Sequence, residues 1–161
     1  MRRDLRWTIP LVSSVLAMMV ALPSARSRPD RTPAALEIVK VSPEALNKSK
    51  PVAVTDDQMM TVTEGKGAQV TDITPFTSAD KRFQVDVSAY DKVTLALKNW
   101  PVDEFMYFIE GKVEISDAKG HKQLFGPGDA LVMPRGFNGT WRQLSRIKKL
   151  SVAYWPTPRD G

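Results

Sequence analysis

The chain has 161 residues, 42% of them hydrophobic and 25% charged, with a formal net charge of +5; this suits one globular domain plus an extension. Arg2, Arg3 and Arg6 against Asp4 place part of that charge at the amino end, and the weakly basic remainder has no basic stripe or aromatic–basic interleaving of the kind that binds nucleic acid. There is no cysteine, which excludes a disulfide framework, a thiolate nucleophile and cysteine-ligated zinc.

Residues 1–6 are positively charged, residues 7–22 (WTIPLVSSVLAMMVAL) are uncharged and mostly apolar, and small residues follow at 23–27. That order predicts a secretory signal peptide over residues 1–25. The apolar run is shorter than the ~20 residues of a membrane span and contains Pro10. The expectation is an exported protein, periplasmic or secreted, touching a membrane only through this segment if it is retained. Residues 26–57 read as a linker with one candidate extra strand at residues 36–41 (LEIVKV), and Pro43 and Pro51 bracket a short helical turn. Asn47-Lys48-Ser49 and Asn138-Gly139-Thr140 are glycosylation sequons.

From Met59 onward the dominant period is two. Phe83, Val85 and Val87 alternate with Arg82, Gln84 and Asp86, and Val93, Leu95 and Leu97 alternate with Lys92, Thr94 and Lys98; this predicts a hairpin with one buried face. Residues 104–109 running through Glu110-Gly111 into residues 112–116 predict a second strand pair. Gly126-Pro127-Gly128-Asp129 opens another, over residues 130–133 into Pro134-Arg135-Gly136. Residues 147–155 (IKKLSVAYW) close the set, with Ile147, Lys149, Ser151 and Ala153 sharing a face. Short strands at roughly ten-residue spacing, with no sustained helical period, give an all-β sandwich or barrel over residues 58–157. Residues 104–109 (EFMYFI) are apolar on both faces, so both need cover, from the N-terminal segment or a second subunit; a homodimer is the expected state.

Glu104-x6-Gly111 followed by Gly128-x5-Pro134-x-Gly136 resembles the two sequence motifs of the cupin superfamily. WPVDEFMYFIEG and FGPGDALVMPRGFNGTW narrow the resemblance to the small cupins grouped with (S)-ureidoglycine aminohydrolase and the ethanolamine-utilisation cupin. It covers residues 83–154 and implies a single-domain jelly-roll barrel, here preceded by the signal segment and linker. Metal-binding members place a histidine pair shortly before the glutamate and a further histidine in the second motif. Those places hold residues 97–100 (LKNW) and Gly139 here, and the single histidine, His121, lies elsewhere. Of the usual ligand set only Glu104 remains, so no metal or other cofactor is expected.

The resemblance implies that Glu104, Met106 and Phe108 point into the barrel, with Gly139 and Trp141 from the second motif and Lys149 from the last strand. A carboxylate and an ammonium among aromatic walls suit a small-molecule site, with Trp100, Glu104, Met106, Phe108, Trp141 and Lys149 as its candidate binding residues. Glu104 is the candidate general acid or base and Lys149 the candidate anion holder or, if desolvated, nucleophile. The alternative is a structural Glu104–Lys149 ion pair. Arg135, Arg142 and Arg146 are candidates to draw an anion to the rim. The leading function is binding of a small polar metabolite. Its rivals are a hydrolase or isomerase, and a dimeric accessory module contacting a partner through Phe105 and Tyr107.

Overall fold

The computed structural model describes residues 37–157; the expected signal peptide and the start of the expected linker lie outside them. A 3-10 turn, Pro43–Lys48, precedes eleven strands: β1 Val52–Ala53, β2 Met60–Glu64, β3 Gln69–Thr77, β4 Phe83–Tyr90, β5 Thr94–Leu97 and β6 Asp103–Glu110. After these come β7 Val113–Asp117, β8 Lys122–Phe125, β9 Ala130–Met133, β10 Gly139–Gln143 and β11 Ile147–Tyr154. They form two antiparallel sheets, one in the order β1-β3-β4-β11-β6-β9 and the other β2-β5-β10-β7-β8. This is the all-β sandwich or barrel expected from the strand ladder, in the jelly-roll form that the resemblance implies.

The expected strand pairs are corrected. Residues 83–90 and 94–97 do not pair: β4 lies between β3 and β11 in the first sheet, and β5 between β2 and β10 in the second. Likewise β6 pairs with β11 and β9, whereas β7 pairs with β10 and β8. Two strands facing each other across a core share a period of two just as two hydrogen-bonded neighbours do, so alternation alone cannot separate them. The crossing from β6 to β7 turns at Gly111, whose φ is 80°. A Cβ there would lie 2.0 Å from the carbonyl oxygen of Arg146, so the chain can switch sheets against the start of β11 only with glycine at this position.

The core between the sheets includes Met106, Phe108, Leu95, Val113, Ile115 and Trp141. Phe108 is fully buried, with ring centroids 5.9 Å from both Phe125 and Trp141; burying such a side chain contributes about 1.5–3 kcal/mol.

The face assignment of β4 is inverted relative to the sequence expectation. Gln84, Asp86 and Ser88 face the barrel interior, and Val87 is buried on the opposite side with Leu46 and Ala89, against Val41, Ile73 and Leu150. Residues 41–46 therefore strap the outside of the first sheet. Within the described part of residues 36–41 no strand forms, and the extra strand is β1, paired with Val70 and Gln69 of β3. Among the described residues the strap covers only part of that outer face. The cross-strand row Phe76, Val85, Val152, Phe105 and Val132 runs over β3, β4, β11, β6 and β9, with Phe76, Phe105 and Val132 exposed.

Candidate functional site

Inside the barrel is a cavity of about 210 Å³, below the roughly 300–1,000 Å³ of sites for drug-sized ligands. The inner rows of the first sheet build its polar wall. Gln84, Ala153 and Glu104 lie level on β4, β11 and β6; Asp86, Ser151 and Met106 form the next row; Asp72, Ser88, Lys149 and Phe108 the next. The second sheet contributes apolar and aromatic groups, with Leu95, Leu97 and Trp141 facing them, and Trp100 stands in the loop before β6.

Glu104 and Lys149 are both buried and form an ion pair at 3.2 Å between Lys149 Nζ and Glu104 Oε1. Lys149 Nζ also donates to Ser151 Oγ at 3.1 Å, and Trp100 Nε1 donates to Glu104 Oε2 at 3.2 Å. Two of the three ammonium donors are thus spent on protein groups. Burial alone would push the Lys149 ammonium down, but the charges of Glu104 and Tyr90, the hydrogen bond to Glu104 and the charge of Asp86 outweigh it, and its pKa lies above the ordinary lysine value. The raised pKa favours Lys149 as a held cation, its role as an anion holder, over the deprotonated form a nucleophile needs. Burial, with the charge of Lys149 opposing it, raises the Tyr90 phenol.

Of the six candidate binding residues, the structure brings Trp100, Glu104, Met106, Trp141 and Lys149 to the cavity wall. Phe108 faces inward but does not line the cavity: it is fully buried, with Phe125 and Trp141 packed on it. None of Arg135, Arg142 and Arg146 lines it; Arg142 lies 3.9 Å from Glu114 instead.

Several wall residues escaped the sequence reading: Asp72, Asp86, Ser88, Tyr90 and Gln143. Asp86 accepts from Thr74 Oγ1 at 2.6 Å and from Gln84 Nε2 at 2.7 Å. The Gln143 amide, oriented by its neighbours, donates to the Asp91 carbonyl at 2.7 Å and accepts from Trp141 Nε1 at 3.1 Å, fixing the indole. Ser88 is 4% exposed, and among the described residues its hydroxyl has no hydrogen-bond partner.

Residues 78–150 match the family model described as EutQ-like cupin domain. Over these residues the barrel is a EutQ-like cupin domain. Among solved structures, the cupin domain is similar to a DUF861-family protein of unknown function from Pseudomonas syringae, with a TM-score of 0.57 and 18% identity over 65% of this chain. That match spans only 43% of the Pseudomonas chain. The EutQ protein of Clostridium difficile aligns at 20% identity with a TM-score of 0.48, covering 55% of this chain and 69% of its own. A cupin superfamily protein from Desulfitobacterium hafniense aligns at 19% identity, covering 57% of this chain and 83% of its own, with a TM-score of 0.47. No curated protein matches the chain.

The residues of this cupin do not fit the metal of its metal-binding relatives. Both oxygens of Glu104 are engaged, one by an ammonium that would repel a second cation. Gly139 leaves no room for a ligand side chain, since a Cβ there would lie 2.1 Å from the Ser116 carbonyl oxygen. No cluster of three or more His, Cys, Asp or Glu side chains that could hold a metal ion occurs among the described residues.

Proposed function

We propose that this cupin binds a small polar metabolite in its barrel without a histidine-ligated metal, and that it does so as an exported protein. A cupin of this group is a small-molecule-binding or enzymatic domain in general terms; the finer reading rests chiefly on the buried Glu104–Lys149 pair standing at the wall of a metabolite-sized cavity. An ion pair that is desolvated yet faces a cavity offers a directional polar contact inside an apolar enclosure, which is how small ligands are oriented. The raised Lys149 pKa favours binding over covalent chemistry at this amine. Export rests on the charged, apolar and small-residue order of residues 1–27.

The test is native mass spectrometry and elemental analysis of untagged protein recovered from the exported fraction. A metal-free protein carrying a small organic adduct that is lost in Glu104→Gln is the expected result. A stoichiometric transition metal, or an adduct indifferent to Glu104→Gln, would refute the site; protein confined to the cell interior would refute the export.

The bare apolar row on the outer face of the first sheet favours a second copy of this chain as its cover. A two-fold contact could lay the row against itself, as isologous dimers do. Phe105→Glu, at a residue 41% exposed in the single chain, should convert a dimer to a monomer in gel filtration while circular dichroism shows the fold retained; an unchanged elution position would exclude this face.

A further inference from the structure

Among the described residues the cavity wall carries three carboxylates, Asp72, Asp86 and Glu104, against one cation, Lys149. Glu104 and Lys149 neutralise each other. Asp86 receives only neutral donors, Thr74 and Gln84. Neither Asp72 nor Asp86 forms an ion pair among the described residues, and the charge of Asp86 reaches Lys149 only at longer range, so three carboxylates face one cation in a lining that also holds Tyr90, Trp100 and Trp141. Negative charge and aromatic faces both attract a cation, with Asp86 half-buried and Asp72 at the exposed edge of the wall.

A second observation points to a ligand. Ser88 stands between Asp72 and Lys149 in one cross-strand row, nearly completely buried, and its unpartnered hydroxyl faces the cavity. That hydroxyl opens onto the cavity and is free to meet a ligand there. The third Lys149 donor also has no partner among the described residues, and it asks for an oxygen acceptor.

We infer that the ligand is a small organic cation, with an ammonium or guanidinium group held between Asp72 and Asp86 and an oxygen reaching toward Ser88 and Lys149. The inference rests on the reading of this cavity as the ligand site and adds the charge class. Simple organic anions are disfavoured: only one cation lines the cavity, and it is already paired.

Calorimetry with three compounds of similar size and different head charge tests it: 4-aminobutan-1-ol, butane-1,4-diol and 4-hydroxybutyrate. The amine is expected to bind at least about tenfold more tightly than either of the others, and less tightly as salt is raised. Asp86→Asn should reduce its affinity about tenfold and abolish its preference over the diol, in a protein whose unchanged Tm shows the fold is intact. Ser88→Ala should weaken the amine and the diol alike. Tightest binding by the diol or the hydroxybutyrate, sensitive to Glu104→Gln, would overturn the charge class and leave the ligand site standing. Binding by none of the three would overturn the charge class, and binding insensitive to every wall substitution would overturn the site as well.

Discussion

Lys149→Met is expected to cost about 3–5 kcal/mol, roughly 10–20 °C in Tm, because it strands the Glu104 carboxylate in the barrel with only the Trp100 N–H to solvate it. Glu104→Leu should cost a similar amount by stranding the ammonium. The double variant Glu104→Leu with Lys149→Met should recover most of the loss, since a buried pair exchanged for apolar groups is often neutral or even stabilising. Chemical denaturation of the four proteins gives the coupling directly. Single variants that each cost under about 1 kcal/mol would mean that the pair is solvated and carries no stability. The pH dependence carries a further sign. Lys149 and Tyr90 both have pKa values raised in the folded state, so the fold holds their protons more firmly than the unfolded chain does. Their contribution is complete below the ordinary values of 10.0 and 10.5 and is lost as pH climbs through the folded-state values. The alkaline limb should therefore be less steep in the double variant.

Gly139→Ala is expected to reach or exceed the upper end of the roughly 1–3 kcal/mol that overpacking costs. Its added Cβ would meet the Ser116 carbonyl oxygen at 2.1 Å and the Phe137 ring at 2.8 Å, and the carbonyl belongs to β7, the strand on which β10 pairs. Gly136→Ala is the informative comparison: its φ is 84°, but nothing lies within 4 Å of a Cβ there, so it should cost only the left-handed penalty of about 1–2 kcal/mol. The residue with ordinary backbone angles should thus be the less replaceable of the two. Gly139→His, which restores the side chain found in metal-binding relatives, should be still less stable and gain no metal affinity. A Gly139→Ala protein with the parent Tm would show that β10 can move away from β7.

The barrel was legible because jelly-roll strands keep a period of two and turn at glycines and prolines, and the spacing from Glu104 to Gly136 carries a family pattern. Glu104 and Lys149 could be placed on inward faces by the family resemblance together with strand parity. The pairing of strands could not, since β4 and β5 look like a hairpin whether they share a hydrogen bond or a core. The polar wall was hidden by the same alternation. Gln84, Asp86 and Ser88 look like a solvent face because Val85 and Val87 look like a core face, and only the strap of residues 41–46 makes Val87 a buried residue on the outside. A polar strand face is ambiguous between water outside a barrel and a ligand cavity within it. Long-range placement decides, and no local pattern encodes it.

The strap also sets where the cooperative unit begins. Val41 and Leu46 close over Val87, which has no exposed surface, and β1 adds an edge to β3. A chain trimmed to start at residue 58 would keep the whole cavity wall yet lose this outer cluster, leaving β4 open on the reverse of the strand that presents Asp86 and Ser88. The register of the polar wall is therefore secured from behind, by residues that never approach the cavity.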